Sequence, residues 1–455
     1  MRSNLWTATG YLLLTLAVCL GANAPTQADK IDDYVTGQMS KQHIPGLSIA
    51  VLKSGKVVKV KGYGFANLEL DTRATPETVF EIGSMSKQFI AAGILRLNEE
   101  GKVGLEDSVR TYLEDAPESW QPITVRHLLT HTSGLVREPP GFQITAQPDM
   151  ETIRATYSAP LSFKPGENFQ YSNVGYSVLA EIITRASGKP WPQYMQERIF
   201  APLGMTATRT TTLEELVPRR ASGHVWVDGK YLNSQNVAGV RPSGAFLSNV
   251  IDLAKWDAAL YSDQVFSPQQ RALMWTPVKL NDGSTKPYGF GWEVGKVGPH
   301  RLVHHAGTMF GFRSEISRYV DDGLTVIVLA NVFQSLPEKV SAGVAAFYIP
   351  DLQPKRHAAK LSATALDGYT GNYQLAAGAL TVTRRADKLV LSSDVGGRIF
   401  EMAVLTPEST THFFDEDNPR PTYVFDADAE GRKQFRLVGD EGKVSVKGLK
   451  LVGSP

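Results

Sequence analysis

The chain nearly lacks cysteine: one, Cys19, stands in 455 residues. It lies in an apolar N-terminal run, so removal of that run leaves no thiol. Disulfides, a thiolate nucleophile and cysteine-ligated zinc are then excluded. An excess of either charge is lacking too. Lys and Arg number 47 against 46 Asp and Glu, a formal net charge of +1, so no global field draws nucleic acid or an anionic membrane. The apolar run "GYLLLTLAVCLGA" is too short, and too soon followed by polar residues, to span a bilayer. With Arg2 before it and small residues up to Asp29, it reads as a signal peptide over residues 1–28, cut after Ala28. The alternative cut after Ala24 is obstructed by Pro25. This predicts a periplasmic or secreted protein with no stable membrane span after cleavage. A lipid anchor through Cys19 in "LAVC" is the second reading, disfavoured by the bulk of Val18.

What is present is core material. Hydrophobic residues make up 42% and charged residues 20%, enough for a large interior and more than one domain. "LSIAVLKSGKVVKVKGYG" reads as two β-rich runs joined at Ser54-Gly55. Helices follow from Ser84 to Gly101 and from near Asn173 to Gly188, the second with Gly175, Val178, Leu179, Ile182 and Ile183 on one face. "TVRHLLTHTSGL" offers Thr124 as a cap and Gly134 as a stop. Another helix is signalled from Ser248. Two late strands flank the turn Asp321-Asp322-Gly323, and a last helix is "PEKVSAGVAAFYI". The layout implies an antiparallel sheet covered by helices. After Leu366 short alternating runs and polar turns indicate a small all-β domain. The expected organisation is residues 29–352, a linker at 353–365, and a β-domain at 366–455.

Three constellations carry chemistry. In "VFEIGSMSKQFIAAGILRL", Ser84 and Lys87 sit three residues apart at a helix start, so hydroxyl and amine share a face. A serine there is beside unpaired N–H groups at the positive end of the helix dipole, which suits a nucleophile. Alone the pattern is also an ordinary capped helix, expected by chance about once or twice in such a chain. In "NFQYSNVGYSVLAEII", Tyr171 offers a phenol for proton transfer if nearby cations depress its pKa, and Asn173 an amide to orient lysine and substrate. In "HHAGTMFGF", His305 offers a partly charged ring for a substrate carboxylate or for proton transfer. Gly307 permits close backbone approach, and the Thr308 N–H is an oxyanion donor.

Ser-x-x-Lys, Tyr-x-Asn and His-x-Gly in this order resemble the penicillin-recognising serine hydrolases, for which Ser-x-x-Lys is a known element. The branch is that of class C β-lactamases, D-alanyl-D-alanine carboxypeptidases, D-aminopeptidases and esterases. "TVRHLLTHTSGL" and "YGFGW" add to the likeness, which covers about residues 30–350. It implies an α/β (α+β) β-lactamase-like sandwich, an antiparallel sheet flanked by helices, with an all-helical subdomain. It also implies roles: Ser84 as the acylated nucleophile, Lys87 as its activator, Tyr171 as general acid/base, Asn173 as orienting amide, and His305 with Gly307 as the inner edge of the substrate strand. The N–H groups of Ser84 and Thr308 would form the oxyanion hole. Where family β-lactamases place Lys-Thr-Gly this chain has His305, which points away from strong β-lactamase activity. The tail, with "LDGYTGNYQL", resembles appended lipocalin-like β-barrels. Its aromatics Tyr369, Tyr373, Phe413, Phe414 and Phe425 read as core, which leaves covering or shaping the cleft open as a role for the domain.

The expected activity is hydrolysis through a Ser84 acyl-enzyme, on peptides containing D-amino acids, by a carboxypeptidase or aminopeptidase. The alternatives are a carboxylesterase or weak β-lactamase on the same residues, or a penicillin-binding sensor that does not turn over. Partners are a small peptide, ester or β-lactam, with no nucleic acid and no cofactor. Metal is set aside because His127 and His131, spaced i, i+4, lack the glutamate of a His-Glu-x-x-His site. Gly62-Tyr63-Gly64 lacks a third glycine and reads as strand, and so does the second Tyr-x-Asn at Tyr231.

Overall fold

Ser54 and Gly55 both take positive φ, 48° and 74°, the type I′ geometry that matches the twist of the strands it joins. They close the first hairpin of a computed structural model that describes residues 27–139, 149–212, 214–235, 241–263, 265–375, 378–394, 399–439 and 444–451. Residues 1–26 of the expected leader, with Cys19, lie outside these, and its cleavage point falls at the start of the first helix.

The hairpin strands are β1 (Gly46–Lys53) and β2 (Lys56–Asn67), followed by a two-residue β3 (Thr72–Arg73). Four late strands complete the sheet: β4 (Glu293–Val297), β5 (His300–Met309), β6 (Phe312–Tyr319) and β7 (Leu324–Ala330). Their order is β4-β5-β6-β7-β1-β2-β3, with every neighbour antiparallel. The β1 and β7 pairing, Leu47 opposite Ala330, joins the start of the hydrolase segment to its end.

Both faces of this sheet are covered, which is why "GLSIAVL" is apolar throughout instead of alternating. Leu47, Ile49 and Val51 face one way, packed with Ile31 and Val35 of α1 (Gln27–Lys41). Val340 and Val344 of a second helix, Pro337–Ala346, close the same layer. Ala50 and Leu52 face the other layer, built from α2 (Ser86–Glu99) and the helix Val250–Ala259, with Phe89 and Trp256 in its core. That core continues into the helical part, where Leu128 of α3 (Val125–Leu129) meets Val178 and Ile182 of α4 (Asn173–Ser187). The sheet flanked by helices and the helical subdomain are thus present.

Two helix readings need correction. Ser84 is not on the α-helix but in a 3-10 turn, Gly83–Met85, just before α2; Gly83 with φ 51° sets this turn apart. And α3 stops at Leu129 rather than near Gly134. Thr130 Oγ1 donates back to the Arg126 carbonyl at 2.8 Å, and His131 turns to φ 60°. His127 and His131 therefore do not share a helix face. α4 runs as read: Ser172 caps it by accepting from the Gly175 N–H, and Gly188 ends it at φ 70°.

The C-terminal part is a closed barrel of eight antiparallel strands between Gly371 and Lys450. A short helix, Ala363–Asp367, starts inside the stretch read as linker and buries Leu366 against the barrel core. Tyr373, Phe413, Phe425 and Phe435 fill that core, with Tyr369 packed against it. Phe414 is buried but outside this cluster. The barrel docks on the α1 layer: Lys41 pairs with Asp417 at 2.7 Å, and Lys339 pairs with Asp415 and donates to the Met402 carbonyl at 3.2 Å. This is the sheet face turned away from α2, so the barrel does not cover the cleft beside Ser84.

Candidate active site

Pairing between β4 and β5 ends at His304, opposite Glu293. Beyond it the outer edge of β5 is met by the Gly83–Met85 turn rather than by another strand among the described residues. The approach is close. A Cβ at Gly83 would lie 2.6 Å from the Thr308 nitrogen, and one at Gly307 only 2.0 Å from the Ile82 carbonyl oxygen and 2.3 Å from Ser314 Oγ. Glycine at these two positions is what lets the serine turn and the strand touch. Gly307→Ala is therefore expected to destabilise the fold by about 1–3 kcal/mol and to lower turnover, by pushing β5 from Ser84. Unchanged thermal unfolding with full activity would contradict the close approach.

Lys87 on the first turn of α2 is wholly buried. Its Nζ lies 3.1 Å from Ser84 Oγ, 2.9 Å from Asn173 Oδ1 and 2.9 Å from the Ser243 carbonyl oxygen. The latter two can only accept. A neutral amine has two N–H donors and one lone pair, so the two acceptors consume its donors and the lone pair is left for the Ser84 hydroxyl proton. Burial favours that form: it pulls the lysine well below its ordinary value, the Glu138 carboxylate opposes it, and Arg137 and Arg241 add to it.

Tyr171 follows a different course. Its ring centre lies 4.7 Å from Lys87 Nζ. Burial raises its pKa, and the hydrogen bond with Ser84 and the nearby Arg137 only partly oppose this. The expectation that cations depress it fails, because desolvation outweighs them. Tyr171 is a neutral phenol, able to hand on a proton but not to start as a phenolate.

His305 is also corrected. Its Nδ1 is 2.7 Å from the Ala306 carbonyl oxygen, which can only accept, so Nδ1 carries the proton. Nε2 then accepts from the Tyr288 hydroxyl at 3.0 Å. Burial, with Lys87 adding to it, lowers its pKa to about 3. The ring is neutral, is not among the residues that line the pocket, and packs with Tyr171 and Tyr288; with both nitrogens bonded within the protein, it offers no charge to a substrate carboxylate. The adjacent His304 points to the other face of β5. Burial pulls it down, but Glu315 at 3.2 Å and Glu293 outweigh this and hold it at about 9.

The structure thus brings Ser84, Lys87, Tyr171, Asn173, Gly307 and Thr308 together. The pocket above Ser84 has a volume of about 230 Å³, with Asn173, Ser243 and Thr308 on its polar side and Met309, Phe310 and Phe333 as an apolar wall. It holds residues that sequence reasoning missed. Glu138 accepts from Asn173 Nδ2 at 2.6 Å and pairs with Arg241, so the amide that faces Lys87 is held by a charge pair from two loops. The His131 ring lies tilted against Tyr171, with centroids 4.2 Å apart, and against Tyr288 at 4.7 Å, and its Nδ1 accepts from the Ser172 N–H at 3.1 Å. It packs beneath the site against Tyr171, Tyr176 and Tyr288. His127 caps α3 with Thr124. Among the described residues no three His, Cys, Asp or Glu side chains converge as metal ligands, and no helix is long and apolar enough to cross a membrane.

Residues 31–349 match the family model described as Beta-lactamase. Over 409 residues the chain is 31% identical to penicillin-binding protein 4* of Bacillus subtilis (strain 168), covering 83% of this chain and 89% of that protein. The octameric penicillin-binding protein homologue from Pyrococcus abyssi superposes with a TM-score of 0.68 at 25% identity, over 93% of this chain and 100% of that one. The D-amino acid amidase from Ochrobactrum anthropi SV3, complexed with L-phenylalanine amide, gives 0.60 at 24% identity, over 71% and 98%, a likeness of fold.

Proposed function

This chain belongs to the beta-lactamase family and is a serine hydrolase, and from that premise we propose that it acts through a Ser84 acyl-enzyme on peptides containing D-amino acids. The observation that carries the proposal is the buried Lys87, whose two N–H donors are taken by Asn173 and Ser243 while its lone pair faces Ser84. Ser84 Oγ attacks the substrate carbonyl carbon as its proton passes to Lys87 Nζ. The oxyanion is held by the N–H groups of Ser84 and Thr308. On collapse of the tetrahedral adduct the C–N bond breaks, and the proton returns from Lys87 through Tyr171 to the leaving amine. Water then attacks the ester by the reverse relay, restoring the Ser84 hydroxyl.

The likeness to penicillin-binding protein 4* supports a site that takes a penicillin-like amide. The neutral His305 is unlike the permanent cation of a β-lactamase third motif, which argues against efficient antibiotic hydrolysis. A carboxylesterase is the second reading, favoured by the apolar wall of Met309, Phe310 and Phe333. A periplasmic or secreted location is part of the proposal, supported by the leader-like apolar run of the N-terminal sequence.

The test is to incubate the purified protein with D-alanyl dipeptides and D-amino acid amides, short-chain p-nitrophenyl esters and a fluorescent penicillin. Peptide or amide turnover is the expected result. Ester turnover alone would sink the peptidase reading in favour of an esterase, and a single burst of penicillin labelling without turnover would indicate a sensor. Loss of activity on chelation would revive a metal mechanism.

A further inference from the structure

The stretch "TVRHLLTHTSGL" and the two residues after it hold the segment that bears Tyr171. The Leu129 carbonyl accepts from the Tyr176 hydroxyl at 2.9 Å, the Val136 carbonyl from the Ser172 hydroxyl at 2.8 Å, and the Arg137 carbonyl from the Asn173 N–H at 3.0 Å. His131 grips the residues on either side of Tyr171. Its carbonyl oxygen accepts from the Gln170 N–H at 2.9 Å and its ring Nδ1 from the Ser172 N–H at 3.1 Å. At φ 60° this one residue presents both acceptors to the same segment. Its ring lies against that of Tyr171, with centroids 4.2 Å apart. The phenol is thus fixed at both flanking peptides and at its ring.

A ring nitrogen that accepts from a backbone N–H carries no proton, so the neutral ring has its hydrogen on Nε2. That atom is buried and has no hydrogen-bond partner among the described residues. The rings packed against His131 are those of Phe169, Tyr171, Tyr176 and Tyr288. A buried donor left unpaired is a cost, so what this histidine offers in return is the acceptor at Nδ1. Protonation of Nδ1 would undo the tether. Burial opposes that by pulling the ring well below its ordinary pKa, and Lys87, His305 and Arg137 add to the effect.

We propose that His131 is the positioning residue for proton delivery: by tethering the peptides on both sides of Tyr171 and packing on its ring, it holds the phenol between Lys87 and the leaving group. Resting on the acyl-enzyme reading, this deepens it by dividing the labour of the site. Ser84 and Lys87 make the acyl bond, while His131, without touching substrate, governs how well a basic leaving group is protonated as its bond to the carbonyl carbon breaks. The Tyr171 hydroxyl gives its proton to the leaving oxygen or nitrogen and takes the one Lys87 Nζ received from Ser84. A weakly basic leaving group departs as the anion and needs no such help.

The experiment uses the full chain and two esters of one acyl group, the p-nitrophenyl ester, whose leaving group departs unprotonated, and the ethyl ester, whose leaving group must be protonated. Both are read as kcat/KM, which covers the steps up to leaving-group loss. His131→Phe keeps a ring and removes the acceptor. His131→Asn gives up the ring but supplies an amide oxygen near the place of Nδ1, and asparagine tolerates positive φ. In His131→Phe the ethyl ester is expected to lose about 10- to 100-fold, the scale of a misplaced catalytic group, and the p-nitrophenyl ester no more than about threefold. His131→Asn should restore most of the ethyl ester activity. Because both esters are compared on the same variant, any unfolded fraction cancels. An equal loss on both esters in His131→Phe would overturn the proposal, since that is what a merely structural histidine gives. So would an unaffected ethyl ester, or His131→Asn no better than His131→Phe. Failure of the acyl-enzyme reading shows elsewhere, as hydrolysis of both esters surviving in Ser84→Ala.

Discussion

Ser84→Ala is expected to lower kcat/KM on every accepted substrate by about 10⁴-fold or more, the scale seen when an acyl-transfer nucleophile is removed. What survives should come from the oxyanion donors and binding alone. The fold should not change, because the lost Oγ has its main polar contact with Lys87, which keeps Asn173 and Ser243. Thermal unfolding close to wild type, together with the lost activity, assigns the effect to chemistry. Activity retained within a few-fold would contradict the role of Ser84.

Replacing Lys87 carries the second large effect. Lys87→Ala should cost about 10³-fold or more in kcat/KM, within the range of general-base contributions. Lys87→Arg should be as poor, since a guanidinium keeps the charge but cannot deprotonate; a substantial rescue by arginine would mean that charge rather than proton transfer is what the site needs. The pH dependence has a definite sign. Lys87 is active as the neutral amine, and its folded-state pKa lies well below that of an ordinary lysine. Activity of the wild type therefore rises with pH through that lowered value, and the acid limb of kcat/KM reports it. Tyr171, pushed up by burial, stays protonated across the same range and adds no limb below the ordinary tyrosine pKa. A limb at the value of a free lysine would contradict the buried base.

Much of the site was legible because its parts sit at element edges with local signatures. Ser84 and Lys87 precede an apolar helical run, Tyr171 and Asn173 open α4, and Gly307 stands where β5 needs the absence of a Cβ. Spacing alone left each open to an ordinary structural reading; it was the resemblance of the whole set to a known hydrolase family that singled them out. Glu138 and Arg241 were not legible: each is a lone charge in a loop, and their pairing across the pocket depends on tertiary structure that no period encodes. The chemical state of the site was not legible either. That His304 is cationic while His305 is neutral follows from the two faces of β5, one turned to Glu315 and the other buried among Tyr171 and Tyr288. The strand alternation was readable, but the partners on each face were not. In the same way α3 was overextended because nothing local announces that His131 adopts positive φ.

The fold shows a similar division. The hairpin turn, α4 with its caps, and the late strands follow from period and turn chemistry. The side of the sheet on which the barrel docks follows from ion pairs such as Lys41 with Asp417, between residues far apart in the chain. That side decides whether the barrel shapes the cleft.

The most direct test of the account is to trap the acyl-enzyme with a fluorescent penicillin or a slowly hydrolysed ester and to locate the added mass by peptide mapping. The expected result is one acyl group per chain on Ser84, absent from Ser84→Ala and formed much more slowly in Lys87→Ala. An adduct on another residue, or turnover with no covalent intermediate and no dependence on Ser84, would contradict it.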